Sequence, residues 1–133
     1  MRALTSISLL ALSVITSLAH AGDPKIPTGA QPLNEVEIRS LLDGKTFSFV
    51  AYDELLTGTS SWDAQAGAVS GDYLVKQMQR GIYAEGWFVD DGRSCTQSPG
   101  KKAVCRVIYR YGDGFIEANE NGGIHAVFVP ATQ

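Results

Sequence analysis

The chain has 133 residues, of which 44% are hydrophobic and 19% are charged, and its formal net charge is −3. This length fits a single domain, and the ordinary apolar fraction excludes a chain that is disordered along its whole length. The negative net charge argues against a protein that binds nucleic acid through its overall charge. None of these quantities indicates a particular activity.

Residues 1–21 have the pattern of a secretory signal peptide. Arg2 supplies a positive start, an apolar run of about twelve residues ends near Leu18, and residues 19–21 form a small-x-small cleavage site. The apolar run is shorter than the stretch of about 20 residues that a membrane-spanning helix needs. The sequence therefore predicts cleavage before Gly22 and a periplasmic or secreted protein that does not span the membrane.

One short helix is predicted at the start of the folded part. Residues 22–32 are rich in Pro and Gly and indicate a flexible lead-in, after which residues 33–130 are expected to form a single β-rich domain. Asn34 and Glu37 have the spacing of a capping box. Gly44 is suited to the left-handed conformation that ends a helix, so we expect a helix of about two to three turns.

The rest of the chain is predicted to be strand. Turn signals recur at short intervals, among them Arg80-Gly81, Asp91-Gly92 and Ser98 to Lys101. Residues 53–71, with Trp62 among them, contain so many turn-forming residues that we expect a long loop or an irregular strand there. The sequence thus predicts a mainly β fold, an antiparallel meander of about six strands curling toward a small barrel. The predicted strands are 46–52, 72–79, 82–89, 103–111, 115–118 and 124–129.

Export affects the interpretation of the two cysteines, Cys95 and Cys105. Nine residues separate them, which differs from the Cys-x-x-Cys spacing of redox and zinc sites. In an oxidising compartment such a pair is expected to form a disulfide. The sequence therefore predicts a disulfide between Cys95 and Cys105.

A spaced set of Gly, Trp and Cys residues runs through the middle of the chain: Leu42-x-Gly44-x-Thr46, Gly81, Gly86-Trp87-Phe88-Val89, Asp91-Gly92, Cys95 and Cys105. This pattern resembles a family of small exported alpha-proteobacterial proteins with a Gly-x-Trp, Asp-Gly-x-x-Cys and Cys core. The resemblance implies export and a β-rich domain. Because that family has no assigned activity, the resemblance implies no catalytic residues.

Ionisable side chains that could carry chemistry are few. His125 is the only histidine after the signal segment, and we expect it on the polar face of the last strand. No Gly-x-Ser-x-Gly motif is present. Glu85 and Glu117 lie in predicted strands, and either could point into a barrel. If Glu85 shares a face with Tyr83 and Trp87, it needs a partner there, which Arg106 or Arg110 could supply across strands. We therefore assign no catalytic residue, no metal site and no cofactor.

A basic hairpin, residues 93–110, contains five Lys or Arg residues and no acid. Such a surface could bind an anionic envelope component or a protein partner, although it could equally be a solvated hairpin that protects a strand edge. Trp62 in its polar loop could add an aromatic contact or fold over a barrel end. The candidate partner-binding residues are Trp62, Arg93, Lys101, Lys102 and Arg106.

Three functions follow from this sequence. The first is a non-enzymatic binding module that contacts an envelope component or another protein and could inhibit it. The second is a carrier of a small apolar ligand, which requires a cavity in the barrel, since a fully packed interior would exclude it. The third is a hydrolase that uses Glu85, Glu117 or His125, which requires a cavity joining an ionisable pair to solvent.

Overall fold

The computed structural model describes residues 24–132, so the predicted signal peptide lies outside the described residues. A helix, α1 (Glu35–Leu42), precedes eight strands. Each strand pairs antiparallel with the next, and β8 also pairs with β1, so the sheet closes into a barrel. The strands are β1 (Thr46–Ala51), β2 (Leu56–Asp63), β3 (Ala68–Val75), β4 (Gln79–Asp90), β5 (Arg93–Gln97), β6 (Val104–Tyr111), β7 (Gly114–Ala118) and β8 (Ile124–Pro130).

The predicted class is confirmed: the fold is mainly β and antiparallel, with one short helix. The predicted number of about six strands is wrong, because the described part of the chain forms eight. The expected loop at 53–71 contains β2 and the start of β3, and β5 was overlooked as a strand. Both missed strands, β2 and β5, consist mainly of small or polar residues such as Ser, Thr and Gly. Pairing with a neighbour on each side outweighs the weak strand propensity of such segments.

One predicted turn is also wrong. The chain reverses at Lys76 and Gln77, which have φ angles of 47° and 57°, whereas Arg80 and Gly81 lie inside β4. A Cβ atom on Gly81 would lie 2.2 Å from the ring of Tyr73. Gly81 is therefore required by the packing of an aromatic ring against the strand and not by a turn.

The helix begins and ends where the sequence predicts. The Asn34 side chain accepts a hydrogen bond from the Glu37 amide at 2.9 Å, and the Asn34 amide donates to the Glu37 carboxylate at 3.2 Å. Gly44 adopts a φ of 72° and donates to the carbonyl of Trp62 at 2.8 Å. Ile38, with Leu41 and Leu42, is buried. The helix is thus packed against the barrel at the point where β1 begins.

The barrel has two different ends. In an up-and-down barrel alternate loops lie on the same side, so the loops β1–β2, β3–β4, β5–β6 and β7–β8 share one end, which we call the loop end. The other end, where α1 leads into β1, is the helix end. An aromatic cluster fills the barrel near the helix end: Phe47, Trp62, Trp87, Phe115 and Phe128 are all buried. The rings of Phe115 and Phe128 stack with centroids 4.3 Å apart.

The predicted disulfide between Cys95 and Cys105 is confirmed. The two residues are directly opposite each other on β5 and β6, and their sulfur atoms are 2.07 Å apart. These strands share only three residue pairs, so the covalent bond supports a short ladder. In the chain-entropy account, closing a loop of this size contributes about 2–3 kcal/mol.

A close approach of two strands at Gly71 provides a test of the barrel. A Cβ atom on Gly71 would lie 1.8 Å from the carbonyl oxygen of Thr59 on β2. We expect Gly71→Ala to lower the free energy of unfolding by about 2 kcal/mol or more, because backbone must move to relieve the overlap. Urea denaturation measures the change.

Gly86→Ala is the matched control for this substitution. A Cβ atom on Gly86 would meet its nearest neighbour, the carbonyl oxygen of Gln97, at an ordinary 3.6 Å. This variant is expected to stay within about 1 kcal/mol of the natural protein. Equal unfolding midpoints for the two variants would contradict the close approach of β2 and β3.

Candidate functional site

A cavity of about 380 Å³ lies inside the barrel toward the loop end, and side chains from all eight strands line it. Exposed residues of the loop end, Glu54, Lys101 and Lys102, also line the cavity, so it opens to solvent there. Trp62 and Phe128 of the aromatic cluster form part of its wall. Eight-stranded barrels are just wide enough to hold one small ligand, and this volume lies within the usual range of small-molecule sites.

One wall of the cavity is aromatic. Phe49 on β1 lies 6.5 Å from Tyr83 and 5.2 Å from Phe128 between ring centroids, and Tyr73 completes this side. The hydroxyl of Tyr83 donates a hydrogen bond to the carbonyl of Thr59 at 2.9 Å. Burial and the charges of nearby carboxylates raise the pKa of Tyr83. The wall is therefore uncharged.

The polar wall is built around His125. Its Nδ1 atom lies 2.6 Å from a carboxylate oxygen of Asp53 in the β1–β2 loop, and its Nε2 atom lies 4.0 Å from a carboxylate oxygen of Glu117 on β7. The side chains of His125 and Glu117 are 11% and 7% exposed. His125 thus lies between the buried carboxyl group of Glu117 and the exposed carboxylate of Asp53.

A β-bulge accounts for the position of His125. Glu117 pairs with Ala126, but Ala118 pairs with Ile124, so His125 is an extra residue on β8. In a regular strand His125 would point away from Ala126 and outward, as the sequence predicts. The expectation that His125 lies on the polar outer face is wrong, because a bulge changes the direction of a side chain locally and His125 lines the cavity.

A hydrogen-bond chain holds this wall in place. Asn119 donates to Asp53 at 3.3 Å, and the Nε atom of Arg106 donates to the side-chain oxygen of Asn119 at 3.1 Å. Arg106 on β6 is thereby linked through Asn119 and Asp53 to His125 on β8. The chain joins the β1–β2 and β7–β8 loops, so both loops at this side of the opening are positioned by side-chain contacts.

The two carboxylates beside His125 have opposite pKa shifts. Burial raises the pKa of Glu117, against the opposing charges of His125 and Arg106. For Asp53, burial also acts to raise the pKa, but the hydrogen bond and charge of His125, with Asn119 and Arg106, lower it overall. Asp53 is thus the charged partner of His125, and Glu117 is the carboxyl group that resists ionisation.

Glu85 lies on β4, half-buried, and lines the same cavity. The expected partnership with an arginine is wrong for the described part of the chain. Arg110 is exposed, and Arg106 binds Asn119. Within residues 24–132, no hydrogen bond or ion pair joins Glu85 to another side chain. The cavity therefore contains a second carboxylate without a partner.

The candidate partner-binding residues do not form one surface. Trp62 is 3% exposed, lies in β2 and donates to Ser60 at 2.9 Å, so the prediction that it occupies an exposed polar loop is wrong. Arg93 pairs with Glu120, and Arg106 lines the cavity. Lys101 and Lys102 are exposed at the rim of the cavity. Of the five candidate residues, only these two lysines are exposed.

The arrangement has two further chemical capabilities. A histidine oriented by a carboxylate can act as a general base, and the cavity joins the pair His125 and Glu117 to solvent. Ligand atoms of Asp53, Glu54 and His125 lie within 4.8 Å of one another, close enough to hold a metal ion. The two acids of this group are exposed loop residues, and we assign no metal to it.

Sequence reasoning interpreted Asp53 as a loop residue and did not assign it, His125 and Glu117 to one site. Asp53 lies 72 residues before His125 in the chain, and no local pattern connects them. One signal was present: Glu117 follows Phe115 at a spacing of two in a strand, which places a carboxyl group on the face of a buried aromatic residue. Because burying an unpaired charge is costly, an acid at an interior position of a strand indicates a candidate functional residue.

Comparisons of the chain with protein-family models, curated proteins and solved structures return no match. Among residues 24–132, no helix is both long and apolar enough to cross a membrane.

The pKa shift of Glu117 predicts a pH dependence of stability. The folded chain binds the Glu117 proton more tightly than the unfolded chain does. The protonated carboxyl group therefore makes its full contribution to the free energy of unfolding at pH values below the unfolded pKa, near 4. This contribution is lost as the pH rises through the folded pKa. We therefore expect Glu117→Gln to be more stable than the natural protein at neutral pH and equally stable in acid. Thermal unfolding midpoints between pH 4 and 8 measure the difference.

Asp113→Asn, at an exposed carboxyl group in the β6–β7 turn, is the control for this experiment. Its difference from the natural protein should not grow as the pH rises from 4 to 8. A stability difference between Glu117→Gln and the natural protein that shrinks with rising pH would show that the carboxyl group is stabilised as the anion.

Proposed function

We propose that this is an exported binding protein that holds a small molecule inside its barrel. The observation that carries the proposal is the solvent-connected cavity of about 380 Å³ with one aromatic and one polar wall. Export is supported by the signal-peptide pattern of residues 1–21, by the cysteine pair at disulfide distance and by the resemblance to exported alpha-proteobacterial proteins. A ligand with an apolar body and a polar group would match both walls.

Binding accounts for the geometry better than hydrolysis does. The distance of 4.0 Å between His125 and Glu117 is too long for a hydrogen bond, so no proton passes directly between them. Among the described residues, no serine or cysteine hydrogen-bonds to His125, so a serine or cysteine nucleophile activated by this histidine is absent from the described residues. A site that presents fixed polar groups beside an aromatic wall needs no further element to bind a ligand.

Filling the cavity tests the proposal. Trp62 lines the cavity, so its fluorescence should report binding, and the uncharged dye N-phenyl-1-naphthylamine serves as a general probe. Ala51 is 2% exposed and faces the cavity. We expect Ala51→Phe to weaken probe binding at least tenfold, because the added ring occupies the ligand space. Fluorescence titration gives the dissociation constants.

Ile82→Phe adds a ring on the outer face of β4, where Ile82 is 87% exposed, and should leave probe binding unchanged. Thermal unfolding verifies that each variant is folded, and Leu56→Phe replaces Ala51→Phe if the latter is not. Probe binding that survives in the folded cavity variant, or that is absent from the natural protein, would contradict a ligand site in the barrel.

A second candidate function is binding of an anionic envelope surface through the loop end. The observation that favours it is the exposure of Lys101 and Lys102, neither of which forms an ion pair within residues 24–132. Each lysine near an anionic surface contributes about 1 kcal/mol. The role proposed from the sequence for the whole basic hairpin is accordingly restricted to these two side chains.

Charge reversal tests this candidate. We expect Lys101→Glu with Lys102→Glu to weaken binding to phosphatidylglycerol vesicles at least tenfold at low salt, since two attractive charges become repulsive. Vesicle sedimentation measures the bound fraction. The control is Lys76→Glu with Arg80→Glu, which changes two exposed basic residues of the neighbouring β3–β4 hairpin. Equal losses in the two double variants would indicate a general charge effect and would exclude a specific role of the basic hairpin.

A further inference from the structure

We infer that the cavity selects a small organic cation, a primary amine on an aromatic or aliphatic body, and that Glu117 and Glu85 bind its ammonium group. This inference rests on the proposed function and specifies its ligand. It starts from Glu117, whose side chain is only 7% exposed. No hydrogen bond reaches its carboxylate from residues 24–132, and its contact with His125 is 4.0 Å long. Among these residues, the one fully enclosed side-chain polar atom without a partner is Nε of Arg93, so the oxygens of Glu117 open onto the cavity, where a ligand can supply hydrogen-bond donors.

Glu85 provides the second acceptor. It faces the same cavity from β4 and has no hydrogen-bond or ion-pair partner among the described residues. Glu85, Glu117 and Tyr83 line the same cavity, and the charge of Glu85 contributes to the raised pKa of Glu117 and of Tyr83. An ammonium group has three N–H donors and one positive charge. It would donate hydrogen bonds to both side chains and favour the ionised form of Glu117, which burial disfavours.

The aromatic wall suits the same ligand. Tyr83 and Tyr73 line the cavity together with Phe49, and the faces of such rings attract cations. The apolar part of the ligand would lie against these rings and against Phe128. Aromatic rings beside carboxylates favour an amine over a neutral alcohol of the same shape. The alcohol carries no positive charge, so neither the ring faces nor the carboxylates attract it electrostatically.

The charges of His125 and Arg106 act on Glu117, but neither side chain forms a hydrogen bond with Glu117 or Glu85. Arg106 binds Asn119 through Nε, and His125 binds Asp53 through Nδ1. Lys101 and Lys102 are at the exposed rim, where water screens their charges. An anionic head group could meet the lysines at the rim. In the interior it would meet the buried carboxyl group of Glu117, which disfavours an anionic ligand.

Three probes of nearly equal shape and different charge test the inference: 2-phenylethylamine, 2-phenylethanol and 3-phenylpropionate. Isothermal titration calorimetry with the full exported protein should give a dissociation constant at least tenfold lower for the amine than for the alcohol. Glu117→Gln and Glu85→Gln should each reduce this amine advantage at least threefold. Asp113→Asn, far from the cavity in the β6–β7 turn, should preserve it. Thermal unfolding verifies that each variant is folded.

Each other outcome overturns the inference. Equal affinities for the amine and the alcohol would exclude recognition of the ligand's charge, while the proposed function, a ligand site in the barrel, would still stand. Tightest binding of the carboxylate, lost in Arg106→Gln, would assign the cavity to an anion. If the fluorescent probe binds and no phenyl compound does, the inference about amines is rejected, while the proposed ligand site in the barrel is retained. If neither the fluorescent probe nor any phenyl compound binds, the proposed function fails as well.

Discussion

Closure of the sheet is the constraint on which the rest of this structure depends. The pairing of β1 with β8 over residues 47–51 leaves no strand of the barrel with a free edge. Closure gives weak strand-forming segments such as β2 a partner on each side. It also creates an interior, and the number of strands determines how wide that interior is. With eight strands, the interior is too wide to be filled by short side chains and must contain either large rings or a cavity.

Both solutions occur in this barrel, one at each end. Large rings, among them Trp62 and Phe115, fill the helix end, and the helix covers it with Ile38 and Leu42. The indole N–H groups of both tryptophans find serine oxygens at about 3 Å, so this packed half has its buried donors satisfied. Toward the loop end the rings of Phe49, Tyr73 and Tyr83 line one wall of the cavity and leave its interior open, and ionisable groups line the rest. A rigid half thus supports a half that is open to solvent, which is the division of roles expected of a binding site.

The sequence predicted those parts of the fold that local rules determine. The helix was predictable because Asn34, Glu37 and Gly44 act on neighbouring backbone groups. The disulfide followed from spacing and compartment. The strand β2 was not predictable, because its stability comes from neighbours distant in the sequence. The same holds for the site: the bulge that turns His125 inward depends on the register between β7 and β8, and a single sequence contains no direct record of register.

The buried carboxyl group of Glu117 is the part of the structure that packing alone does not account for. A hydrophobic residue of similar size would fill the same position without the cost of desolvation. Asp53 differs, since His125 and Asn119 satisfy it and lower its pKa. Glu117 has the opposite shift and no hydrogen bond from residues 24–132. Because groups with shifted pKa values are concentrated where proteins bind ligands, the raised pKa of Glu117 and its place in the cavity wall agree with the binding role that we propose.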